Sequence, residues 1–213
     1  MFFDYARYYL TPGLQLMTAA GLVLGGGYAW LGLSSLFALA LLDALLPIDT
    51  RPRRIADRRL ANIPVWFCTV TGPLLILLLA WQVGQGHLTG LALAGGIISV
   101  AWMSVIAFVP PSHELYHQRA FLPQLVGTYA QICYLDCSRN IGHTVGHHID
   151  VGTARDSDTA RRGTTLYAFT GQAVLDSTRL CWRIESDALE KRGYARWSWR
   201  HRVWKALLAQ LVF

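Results

Sequence analysis

Residues 60–113 read LANIPVWFCTVTGPLLILLLAWQVGQGHLTGLALAGGIISVAWMSVIAFVPPSH, and no Asp, Glu, Lys or Arg interrupts them. A helix of about 20 apolar residues crosses a bilayer, so this stretch has room for two passes with the polar tip GQGHL, residues 84–88, between them. The same lack of charge recurs between Arg7 and Asp43. A soluble helical protein would place charge on its outward faces there. The fold class expected is therefore all-α: an integral membrane helical bundle of about four transmembrane helices, over roughly 12–29, 31–47, 64–84 and 88–110. Gly25-Gly26-Gly27 interrupts the first apolar run, and Tyr5, Tyr8 and Tyr9 suit a membrane interface.

Composition agrees. Of 213 residues, 53% are hydrophobic and 15% charged, against about 25% charged in soluble domains. The length suits one membrane-embedded domain over 1–213. The net charge of +6 is carried almost wholly by arginine in the polar segments, which reads as membrane topology rather than nucleic-acid binding. Arg51, Arg53, Arg54, Arg58 and Arg59 crowd the short segment between the second and third spans. That segment is expected on the cytoplasmic side, and two further spans return the chain there. The N-terminus lacks the basic region and cleavage site of a secretory signal. The cysteines form no C-x-x-C; Cys133 and Cys137 stand near histidines, but small buried hydrophobes are the favoured reading.

Five of the seven histidines fall between Ser112 and His148, in the clusters H-E-L-Y-H and H-T-V-G-H-H. Helical residues four apart share a face, so His113 and His117 can point at one metal position and His143 and His147 at another or the same one. His148 lies about 100° further round an α-helix and would approach from the flank. Helices are expected over 112–134 and 136–150, a polar loop over 151–165, and an amphipathic surface helix over 166–192 carrying Leu166, Phe169, Val174, Leu180, Ile184 and Leu189. The basic, aromatic segment Lys191 to Lys205 could dock an acidic electron-transfer partner or anionic lipid. Metal-bound histidines usually donate their second N–H to a carboxylate or carbonyl; Glu114, Asp136 and Asp150 are the candidates near the clusters. H-E-L-Y-H also satisfies H-E-x-x-H, in which Glu114 would be the general base of a membrane zinc protease. An inactive membrane fragment is the third reading.

The two clusters, followed by V-G-T-A-R-D-S-D-T-A-R-R-G-T-T-L-Y-A-F, resemble the membrane-bound non-haem di-iron hydroxylases, the alkane and xylene monooxygenase group related to fatty-acid desaturases. Asp156, Ser157, Asp158, Thr159, Arg162 and Gly163 carry the stretch most similar to the xylene monooxygenase hydroxylases. The resemblance implies insertion of oxygen from O2 into a methyl C–H of an alkane or alkyl-aromatic hydrocarbon such as xylene, giving an alcohol. It implies two iron ions held by His113, His117, His143, His147 and His148. It further implies electrons from a rubredoxin-like or ferredoxin/NAD(P)H reductase partner, and a bacterial inner membrane with the boxes on the cytoplasmic side. The family has later histidines that this sequence does not reach, which implies an N-terminal portion of a longer polypeptide, completion by a second one, or a degenerate metal site. His87 and His201 match no box and read as a loop residue and a solvated basic-segment residue. A lipid-soluble substrate would enter between spans, where Trp66, Phe67, Leu74, Leu75, Trp81, Trp102 and Phe108 could line a path, although lipid-facing or packing roles are their default.

Overall fold

A computed structural model of the chain describes residues 2–48, 50–52, 55–136 and 138–212. Among these residues no strand occurs. The helices in chain order are α1 (Phe2–Ala6), α2 (Leu10–Leu24), α3 (Leu31–Leu45), α4 (Arg58–Gly84), α5 (Gly90–Met103), α6 (Val109–His117), α7 (Phe121–Cys133), α8 (Arg139–Gly142), α9 (His148–Asp150), α10 (Leu166–Glu190) and α11 (Arg202–Val212). A 3-10 turn, Gly26–Trp30, enters α3. Two π turns, Ser104–Phe108 and His143–His147, lead into α6 and α9. The chain divides into two compact units, residues 1–130 and 131–213.

In the first unit, three helical stretches are long and apolar enough to cross a membrane: Gly26–Leu45, Arg58–Gly84 and Gly90–His117. Four spans were expected. The first of them, α2, has 15 residues and continues back through a 3-10 turn, Arg7–Tyr9, into α1, a run that carries Asp4 and Arg7. The chain is an integral membrane protein. Its lead-in tyrosines are tied down: Asp57 N–H donates to Tyr5 Oη at 2.7 Å, and Tyr9 Oη donates to Leu60 O at 2.9 Å. Asp57 also caps α4, accepting from Arg59 N–H at 2.8 Å.

Leu22, Ala29, Leu75, Leu88, Val100, Met103 and Ala107 form the apolar core of this unit. Several polar side chains among the helices reach backbone groups of neighbouring elements. Gln82 Nε2 donates to Leu22 O at 2.7 Å, in the last turn of α2. Ser99 Oγ donates to Ala29 O at 2.8 Å and accepts from Leu33 N–H at 3.1 Å. Gln15, 1% exposed, donates to Cys68 O at 3.2 Å and to Ala107 O at 3.1 Å, and accepts from Thr71 Oγ1. Pro111 has no N–H to give Ala107 O, four residues back. The π turn at Ser104–Phe108 is where the helix absorbs Pro110 and Pro111 without breaking. Of the possible path-lining side chains, Leu74 and Trp81 face outward while Leu75 and Phe108 are buried in packing. Phe108 is held against Gly72, where a Cβ would fall 2.3 Å from the Phe108 ring.

The second unit centres on Ile141, Cys181 and Val203. α10 supplies the packing surface. A Cβ on Gly142 would sit 2.7 Å from Cys181 Sγ, and one on Gly146 would sit 2.6 Å from Leu180 Cδ2, so these glycines let the histidine-bearing segment lie directly on α10. Of the expected amphipathic face of α10, Leu189 is buried and Leu180 and Ile184 are half-buried, while Leu166 and Val174 are exposed; Cys181 and Glu185, outside that face, are buried as well. His201 departs from its expected solvated place. It is 0% exposed, stacks on Trp182 at 4.3 Å between ring centroids, and has Ser186 Oγ 3.3 Å from its Nε2.

Candidate metal centre

Histidines gather at the end of the first unit. The stretch Gly90–His117 has 28 residues, of which a hydrocarbon layer accommodates about 20. His113 and His117 therefore fall beyond the apolar part, on the last turn of α6. Leu115 and Tyr116 turn inward and are buried. α7 packs closely behind them: a Cβ on Gly127 would meet Ser112 O at 2.7 Å and Tyr116 N at 2.8 Å. On the other face, the i, i+4 spacing brings His117 Nε2 to 3.2 Å from His113 Nε2, as the sequence reading requires.

In the second unit the local helix is not α. His148 N–H donates to His143 O, five residues back, which is the π register. That register pairs His143 with His148, their Nε2 atoms 3.0 Å apart. His147 stacks beside His143 at 4.9 Å between ring centroids. His148 is thus a direct partner of His143 rather than a ring approaching from the flank.

His147 has its own support. Its Nδ1 lies 3.0 Å from both carboxylate oxygens of Asp156, an arrangement that holds the proton on Nδ1 and leaves Nε2 as the free donor atom. Asp156 is 5% exposed. Burial pushes its carboxyl up, but hydrogen bonds from Thr159, His147 and the Asp158 N–H outweigh this and hold it below the ordinary carboxylate range. Asp158 lies nearby: Arg139 donates to it at 2.6 Å and to Asp136 at 2.7 Å. Donor atoms of His143, His147 and Asp158 lie within 4.8 Å of one another.

Of the carboxylates proposed as histidine partners, none takes that place among the described residues. Asp136 pairs with Arg139, Asp150 pairs with Arg155 at 3.1 Å, and Glu114 is exposed. Asp156 and Asp158 face the histidine instead; D-S-D, eight to ten residues after His148, was their trace in the sequence. Cys137 lies outside the described residues. Burial pushes the Cys133 and Cys181 thiols up, which favours the protonated, non-ligating form.

The donor set fits a metal. Two nitrogens about 2.1 Å from one ion and roughly 90–100° apart sit roughly 3.0–3.2 Å from each other, the spacing found in both Nε2 pairs. An N–H···N hydrogen bond holds the same spacing without an ion, so each pair is set in place beforehand. Imidazole nitrogen supplemented by carboxylate suits iron as well as zinc.

Comparison with known proteins bears on that choice. Over 98% of its length the chain is similar to the xylene/toluene monooxygenase hydroxylase component XylM of Pseudomonas putida, with 34% identity over 220 residues, covering 58% of that protein. It is 28% identical over 195 residues to alkane 1-monooxygenase 2 of Pseudomonas aeruginosa, covering 85% of this chain and 51% of that one. With the alkane 1-monooxygenase of Pseudomonas putida, identity is 24% over 198 residues, 90% of this chain and 47% of that one. The chain thus spans about half the length of the curated relatives it matches. The pattern of the fatty acid desaturase family matches residues 88–213, taking in both histidine boxes and all of α10 and α11; the chain belongs to that family.

Proposed function

We propose that the chain carries the histidine boxes of a membrane non-haem di-iron monooxygenase, a hydroxylase acting on the methyl C–H of a hydrocarbon. The observation that carries this reading is the pair of Nε2 contacts, His113–His117 at 3.2 Å and His143–His148 at 3.0 Å, in a chain similar to hydrocarbon monooxygenases. His113, His117, His143, His147 and His148 would hold the irons, and iron of this kind supplies activation of O2, which no acid or base in the chain can do. The reaction balances as R–CH3 + O2 + 2 electrons + 2 protons giving R–CH2OH + H2O. An alkane or alkyl-aromatic substrate is the class that the relatives' names suggest. The electrons come from a partner, and a relative described as a hydroxylase component supports the existence of a separate donor.

The chain's own residues have definable parts. Asp156 fixes the ring plane and tautomer of His147. Arg139 holds Asp158 beside it. The spans provide an apolar environment in which a hydrocarbon already partitions. The arginine-rich loop before α4 supports a cytoplasmic position for the boxes, and residues 1–213 would form part of one membrane-embedded hydroxylase domain. A zinc protease is not favoured: the relatives the chain is similar to are monooxygenases.

The test is metal analysis of the purified intact protein, followed by turnover of octane and of p-xylene under 18O2 with a reductase system. Iron together with 18O-labelled alcohol is expected. Stoichiometric zinc with no O2-dependent product would overturn the reading.

A further inference from the structure

The loop after the second histidine box and the outer face of α10 enclose a cleft of about 630 Å³. Five arginines line it: Arg155, Arg161 and Arg162 from the loop, and Arg179 and Arg183 from α10. Three carboxylates also line it, but each is engaged. Asp150 pairs with Arg155 at 3.1 Å, Asp176 pairs with Arg179 at 3.2 Å, and Asp156 is turned toward His147 and Thr159. Arg161, Arg162 and Arg183 are exposed and pair with no carboxylate among the described residues. Three exposed arginines on one concavity give it a positive field that favours an anionic surface.

The wall of this cleft is also the support of the metal centre. Asp156 belongs to the lining and is one hydrogen bond, 3.0 Å, from His147 Nδ1. Whatever docks here lies against the loop that orients a box histidine. In the other basic region of this unit Lys191 and Arg192 are exposed, but three further cations are engaged. Arg196 is tied to Glu190, Arg202 to Glu185 at 2.8 Å, and Arg200 lies over the Tyr194 ring at 4.4 Å. Those cations are spent within the fold, whereas the three in the cleft are not.

We propose that this arginine-lined cleft is the docking site for an acidic, one-electron iron–sulfur carrier protein, and that electrons enter the centre beside Asp156 and His147. This inference rests on the monooxygenase reading. Each docking would oxidise the carrier by one electron, delivered to iron that the box histidines would hold. Two dockings would supply the two electrons that, with two protons, balance the second oxygen atom of O2 as water. Charge at such a surface governs encounter rate and salt dependence more than intrinsic affinity.

The test reads binding, not turnover. The intact protein in nanodiscs is titrated by calorimetry with zinc-substituted rubredoxin and with oxidised plant-type [2Fe–2S] ferredoxin, both acidic, at low and high salt. At least one carrier is expected to bind, with affinity falling as salt rises. The triple variant Arg161→Glu/Arg162→Glu/Arg183→Glu is expected to weaken it about tenfold or more. The milder Arg161→Gln/Arg162→Gln/Arg183→Gln serves if the reversal impairs folding. Lys191→Glu/Arg192→Glu, on the other basic segment, is expected to change affinity less than about threefold. The proposal is overturned if neither carrier binds, if the cleft variants bind as the wild type does, or if the control weakens binding as much. Tight binding of inorganic pyrophosphate without either carrier would likewise overturn it, in favour of a small-anion site. Iron content is measured in parallel: carrier binding by a protein that holds no iron would leave the docking site standing and remove the monooxygenase reading.

Discussion

His147 and Asp156 meet through both carboxylate oxygens, each 3.0 Å from Nδ1. The carboxylate is buried, and it also accepts from Thr159 Oγ1 at 2.5 Å and from the Asp158 N–H at 3.0 Å. Four contacts on one carboxylate leave it little freedom, so the ring it holds has little either. Asp156→Asn would break the acceptor pair and let the ring rotate. Loss of such a partner typically costs 10–100-fold in metal affinity. Iron affinity measured by chelator competition is expected to fall by about that much in Asp156→Asn, with helical content unchanged. Asp150→Asn, which loses only a surface pair with Arg155, is expected to retain iron as the wild type does.

Periodicity placed the histidine boxes on helices, and charge-free length placed the spans. Both inferences rest on features local to the sequence. What escaped is what depends on a register or on contacts distant along the chain. The π turn at His143–His147 changes which residues share a face, so His148 rather than His147 comes closest to His143; a 3.6-residue reading cannot see this. Asp156 reaches His147 because the loop folds back, whereas Asp136 and Asp150, the carboxylates that flank the second box, are drawn off by Arg139 and Arg155. His201, in a basic segment, is buried because Trp182 offers it a ring to stack on. The shortness of α2 follows from the 3-10 turn taking Gly26–Trp30 into the next helix.

Gln15 presents a second testable point. Its amide serves two backbone oxygens, Cys68 O and Ala107 O, the latter deprived of its α-helical donor by Pro111. Gln15→Leu keeps the volume and removes the donor. Polar contacts between membrane helices contribute about 1–2 kcal/mol, and an unpaired buried group costs about 1–3 kcal/mol. The variant is expected to unfold at a lower temperature in detergent, by differential scanning fluorimetry, than Leu74→Ala, which alters only an outward-facing side chain. Equal stability of the two would count against the network.

Gly127 fixes the first box indirectly. A Cβ there would meet backbone atoms of Ser112 and Tyr116 at 2.7 and 2.8 Å, and backbone cannot rotate away as a side-chain tip can. Gly127→Ala must push α7 off α6. Overpacking of this kind costs about 1–3 kcal/mol. A fall in thermal stability together with a fall in iron content is expected, because α6 carries His113 and His117. Gly171→Ala, at a position with open space around it, is the matched control and is expected to be neutral or slightly stabilising.

Glu185 joins α10 to the start of α11, and its charge state predicts a pH dependence. Arg202 N–H donates to its Oε1 at 3.2 Å and Arg202 Nε to its Oε2 at 2.8 Å. Burial raises the carboxyl's pKa, but the Arg202 contacts, with a further contribution from His201, outweigh it and hold it below the ordinary glutamate range. In the unfolded chain the group titrates near about 4.3. A depressed folded value means that the unfolded state binds the proton first, so the pair contributes its full stability above about pH 5 and loses it as pH falls through the folded value. Glu185→Gln keeps the shape and abolishes the charge. Its stability deficit relative to the wild type, followed by thermal unfolding between pH 3 and 8, is expected to be about 1–2 kcal/mol near neutrality and to shrink as the medium is acidified below about pH 4. A deficit that stayed constant down to pH 3 would mean that the carboxylate charge plays no part in holding α11 against α10.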